Sequence, residues 1–160
     1  MGPIAITAGI LCVGVFILNA VIRPRSDAAL IALALLGSWA AYTFLACINP
    51  WPANLRLFAL VDLAVGLTCW LSHRTKPATW KRTLYWLMAA QIIWHAMFWS
   101  GMEWADKSLQ AGMMLRYTIG LNVLGFAQIA LGAWPGVSDV SSRLRAWLSG
   151  DPAGRYPVGS

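Results

Sequence analysis

Apolar residues along this chain fall into long, nearly uncharged blocks, and the charges crowd into the gaps between blocks instead of marking one face of each. An α-helix rises about 1.5 Å per residue, so roughly 20 apolar residues cross the ~30 Å hydrocarbon layer of a bilayer. Residues 3–22 meet that length and are closed by Arg23, Pro24 and Arg25. Residues 28–48 form a second block, stopped by Asn49, Pro50, Trp51 and Pro52, because two prolines so close together cannot sit inside one regular helix. A third runs over 55–72 with Arg56 at its start and Asp62 within it. After a basic loop carrying His73, Arg74, Lys76, Lys81 and Arg82, a fourth covers 83–102, with Gln91 and His95 as its polar members. Glu103, Asp106 and Lys107 close it. The fifth covers 112–134, with Arg116 near its start and Asn122 and Gln128 inside, and is predicted to end at Pro135 and Gly136. In the tail beyond, Val140, Leu144, Trp147 and Leu148 share one helical face while Arg143 and Arg145 lie off it, which predicts a short interfacial helix before Gly150 and Pro152. The expected fold is all-α: an integral membrane helical bundle over residues 1–136, with about five transmembrane helices, then a tail over 137–160 with a short C-terminal interfacial helix.

Composition agrees, since 59% of the 160 residues are hydrophobic, 11% are charged and the mean hydropathy is +0.61, values that no soluble domain requires. A net charge of +6 in a soluble protein would raise the question of nucleic acid; here the cations flank apolar runs and orient the chain instead. Nine Lys and Arg fall in the first and third loops and the tail, against three (Arg56, Lys107, Arg116) on the other side, which predicts a cytoplasmic C-terminus. Residues 1–3 carry no cation, so the first block reads as a retained helix entering N-terminus outward, not as a signal peptide. Trp51, Trp99 and Trp104 fall near the outer boundary and Trp70, Trp80, Trp134 and Trp147 near the inner one, as expected of rings anchored at headgroup depth.

Three helices carry small and polar side chains at helical spacing, the pattern of faces turned toward other helices. They are Ala59, Asp62, Gly66 and Cys69 in the third; Met88, Gln91, His95 and Phe98 in the fourth; and Thr118, Asn122, Gly125, Ile129 and Gly132 in the fifth. Asp62 and His95 each lie seven residues from the outer end of their span, roughly 10 Å deep, and so at matching depth. A buried carboxylate costs roughly 2.5–3.5 kcal/mol on insertion scales, so a partner is expected, either His95 or Arg116 reaching down. The intramembrane polar cluster is therefore Asp62, His95, Arg116, Gln91 and Asn122, acting as an interhelical pin or as a proton or cation relay. With one acid, one histidine and no second deep acid, the pin is favoured.

Other chemistry is argued against. Cys12, Cys47 and Cys69 all sit inside apolar blocks without CxxC spacing or a histidine cluster, so neither a disulfide framework nor a zinc site is expected. His73 and His95 lie at different depths, which argues against a bis-histidine haem. No nucleophile elbow, HExxH or phosphate loop occurs, so the chain is expected to be non-enzymatic, with no cofactor and no metal. Gly132 and Gly136 have GxxxG spacing, but Pro135 between them predicts a helix end and not a dimerisation face.

The run Asn49, Pro50, Trp51, Pro52 leading into Leu60, Val61 and Asp62, with His95, Phe98, Trp99, Ser100 and Gly101 and the closing Ala133, Trp134, Pro135 and Gly136, resembles small membrane proteins of tailed phages and prophages. The resemblance spreads across most of the chain, rests on no motif of known chemical role and carries over no site residues. It implies a phage-encoded inner-membrane protein, with holins the most familiar class. Holin-like action is the leading expectation; a small channel, transporter or accessory subunit using Asp62 and His95 is the alternative. The expected partners are the lipid bilayer and either further copies of the chain or another membrane protein, and no nucleic acid.

Overall fold

A computed structural model describes residues 3–24, 26–48 and 54–149. Five α-helices follow one another: α1 (Pro3–Ile22), α2 (Asp27–Ile48), α3 (Asn54–Thr75), α4 (Thr79–Trp104) and α5 (Lys107–Leu148). The all-α bundle is as expected, and α1 has the predicted bounds, while α2 begins one residue earlier and α3 and α4 extend past theirs by one to four residues at each end. Short connections make sequence neighbours antiparallel. Each helix packs on the next, α5 returns to α1, and α2 crosses the ring to touch α5 as well.

Four helices, α1, α2, α3 and α5, are long and apolar enough to cross a membrane. α4 has the length, at 26 residues, but not the average apolarity. Its polar groups are turned inward: Lys81, Gln91 and His95 are buried while Trp86, Ile93 and Met97 face out. The outer surface of the bundle is correspondingly apolar, with Ile10, Ile17, Leu60, Leu67, Ile119 and Val123 all exposed. At one end the core is Ile31, Leu35, Val65, Cys69, Leu84 and Met88; at the other, Phe98 stacks on Tyr117, with ring centroids 4.0 Å apart.

α5 departs from expectation. It does not end at Pro135 but continues to Leu148 as one helix of 42 residues with Pro135 inside, so among the described residues the segment expected as a separate C-terminal helix is the end of α5. Proline in a helix interior removes one backbone bond and costs about 3 kcal/mol unless its surroundings compensate. Here the carbonyl that loses its backbone donor is that of Leu131, and the Asn19 side-chain amide donates to the adjacent Gly132 carbonyl at 3.1 Å, holding the same turn from α1. Gly132 and Gly136 are buried against neighbouring helices: a Cβ at Gly132 would stand 2.7 Å from Leu35 Cδ1, and one at Gly136 2.8 Å from Leu18 Cγ. The GxxxG spacing is thus an intramolecular packing face through which α5 meets α1 and α2, not a helix end. Farther along, Arg23 holds Asp139 in a two-pronged ion pair, Nη2 to Oδ1 at 2.5 Å, tying the α5 extension to the end of α1. Val140, Leu144, Trp147 and Leu148 remain an exposed apolar strip on that extension.

Candidate functional site

The close approach of α3 and α4 comes from Gly66, where a Cβ would lie 3.3 Å from that of Met88. One turn away, this brings Asp62 against His95: Nε2 lies 2.9 Å from Asp62 Oδ2, with both side chains almost wholly buried (2% and 1% exposed). α5 is seated on α4 in a similar way, since Gly120 leaves room for the Trp94 indole, whose Nε1 donates to the Tyr117 carbonyl at 3.3 Å. Tyr117 is thereby turned inward, and its hydroxyl lies 2.5 Å from His95 Nδ1. From α2, the Tyr42 hydroxyl comes within 3.0 Å of His95 Nε2 and 3.4 Å of the Phe58 carbonyl.

His95 on α4 therefore meets a polar side chain from each of α2, α3 and α5. An ionised carboxylate only accepts, so with Asp62 in that state the ring proton on this edge belongs to Nε2, and Nδ1 of the neutral ring accepts from the Tyr117 O–H. The network continues deeper. Gln91 donates through Nε2 to the Tyr42 hydroxyl at 3.2 Å, and Gln128 donates to Gln91 Oε1 at 2.9 Å. Each link gives a buried polar group a partner, which is what a low-dielectric interior demands.

Of the predicted cluster, Asp62, His95 and Gln91 come together. Arg116 and Asn122 do not. Arg116 is exposed and lines a shallow groove with Trp94, Met97, Phe98, Met113 and Tyr117, so it is not the partner of Asp62. Asn122 is half-buried outside the network. The reason is a rotation of α5 relative to the expected face. The buried positions are Tyr117, Gln128, Gly132, Pro135 and Gly136, whereas Thr118 is exposed. Thr118 can face outward because its hydroxyl donates to the Met114 carbonyl within its own helix at 2.9 Å. The faces read for α3 and α4 hold: Asp62, Gly66 and Cys69, and Met88, Gln91, His95 and Phe98, are buried, with Ala59 half-buried.

Sequence reasoning missed Tyr42, Tyr117 and Lys81. Lys81 was grouped with the loop cations, yet it is 4% exposed. Its ammonium donates to Asp27 Oδ2 at 2.6 Å and to the carbonyls of Lys76 at 2.9 Å and Ser72 at 3.2 Å, which ties the start of α2 to the α3–α4 turn. Its spacing from Leu84, Met88, Gln91 and His95 on one helical face was the available signal. Compared with known proteins, the chain matches no family model, no curated protein and no solved structure.

Proposed function

We propose that this chain is a small, non-enzymatic protein of a bacterial inner membrane that works as a pinned helical unit, an accessory subunit of a larger membrane assembly. The observation that supports this most is the single imidazole of His95 joined to side chains from three other helices. Such a junction favours one packing of α2, α3, α4 and α5, and in this reading the hydrogen-bonded Asp62–His95 pair serves to hold helices together. In this reading α4 crosses the bilayer with the other four helices, since its polar side chains face the bundle. The N-terminus is outside and the C-terminus cytoplasmic, as the nine-to-three division of Lys and Arg favours.

Topology reporters fused after Lys76 and after Asp106 are expected to report cytoplasm and exterior respectively. The same compartment for both would remove the α4 crossing. Function is tested by controlled expression of the full chain with a membrane-potential dye, alongside affinity purification. A tolerated protein that co-purifies with a membrane partner is the expected result. Abrupt depolarisation after a lag, the behaviour of the holin-like action implied by the phage resemblance, would overturn the subunit proposal.

A further inference from the structure

Where α3 ends and α4 begins, on the same end of the bundle as Arg23, Lys76 and Lys81, a groove of about 190 Å³ opens between the two helices. It is lined by Trp70, His73, Arg82, Tyr85 and Trp86. We infer that this groove binds the phosphate of an anionic glycerophospholipid, with Arg82 and His73 as donors and the aromatic rings flanking the glycerol and upper acyl region.

The donors are in suitable states. The Ala78 backbone N–H donates to His73 Nδ1 at 3.2 Å, so in the neutral ring the hydrogen sits on Nε2 and the free edge of the imidazole is a donor. Arg82 is exposed, and among the described residues no carboxylate pairs with it. A guanidinium presents a fork that matches two phosphate oxygens. Arg74, packed over the Trp70 ring at 5.4 Å, adds positive charge at the rim.

The rest of the surface selects a lipid over a soluble anion. Trp70 and Trp86 are 39% and 62% exposed, with Tyr85 and Trp86 rings 5.2 Å apart, an aromatic platform of the kind found at headgroup depth. Below it, exposed Leu63 and Leu67 on α3 and Ile93 on α4 continue the apolar surface toward mid-membrane, offering a track for acyl chains. A free phosphate would leave that surface unused. The inference requires only that the bundle is embedded in lipid, and it does not depend on the role of Asp62 and His95.

Native mass spectrometry of the detergent-solubilised full chain, titrated with phosphatidylglycerol or phosphatidylcholine, tests it. The expected result is one saturable phosphatidylglycerol adduct bound more tightly than phosphatidylcholine. Arg82→Gln should weaken it by about fivefold, the loss expected for one cation near an anionic headgroup, and His73→Ala should weaken it too. Arg143→Gln, which removes an exposed cation of the same end but outside the groove, should leave it unchanged. Equal losses for Arg82→Gln and Arg143→Gln would overturn the site in favour of diffuse surface charge. Displacement of the lipid by glycerol 3-phosphate, or equal affinity for the two lipids, would overturn it as well.

Discussion

Tyr117 shows how a side chain ordinarily placed at a membrane boundary becomes part of the interior. Its ring stacks on Phe98, and its hydroxyl meets the one ring nitrogen of His95 that Asp62 does not occupy. Tyr117→Phe keeps the ring and deletes the hydroxyl, leaving that nitrogen buried without its partner, at a cost of about 1–3 kcal/mol. The loss should appear as a lowered melting temperature in detergent. Thr118→Val, one residue along, should change stability by less than about 0.5 kcal/mol because Thr118 faces outward and its hydroxyl donates within its own helix. If instead Thr118→Val is the damaging change, the orientation of α5 is wrong. Asp62 and His95 were legible in the sequence because an ionisable group inside an apolar run is costly and stands out. Tyr42 and Tyr117 were not, because tyrosine is unremarkable at either depth and only the neighbouring helix decides which way its hydroxyl points. Lys81 was hidden by the company of His73, Arg74, Lys76 and Arg82.

Between elements, glycines set how closely the helices approach, and α5 is the clearest case. Small and polar residues at helical spacing marked the interior faces of α3 and α4 correctly: Gly66 lies in line with Asp62 and Cys69 on α3, and Gln91 with His95 on α4. On α5 the same rule reached the packed face at Gly132 but also followed Gly125, which has open space around it, and passed over Gly120 and Gly136. Pro135 added a second error. Its effect on a helix depends on what packs around the disturbed turn, and Asn19, which donates to the Gly132 carbonyl from another helix, is not visible from the local sequence. Gly132→Leu should therefore force α5 away from Leu35 and Val15, destabilising the bundle by about 1–3 kcal/mol through overpacking. Gly125→Leu is expected to be tolerated, with thermal unfolding in detergent reading both. Equal tolerance at both positions would contradict the contact between α5 and α2.

For the whole molecule, 42 residues of α5 correspond to ~63 Å, about twice a bilayer's hydrocarbon thickness, so part of the helix must stand outside it. The Arg23–Asp139 pair and the exposed strip through Leu148 lie on that extension. Within the membrane the bundle depends on one polar hub that joins four helices, and the coupling between its two ionisable members decides whether the hub exists. A double-mutant cycle on detergent thermal stability, comparing Asp62→Leu, His95→Ala and both together with the parent chain, measures that coupling directly. The predicted result is that each single variant is strongly destabilised, because it strands a buried polar partner, while the double variant loses clearly less than the sum of the two, with a coupling of about 1–3 kcal/mol. A coupling near zero, with the two losses simply adding, would mean that Asp62 and His95 do not hold each other and that the bundle is not pinned in this way.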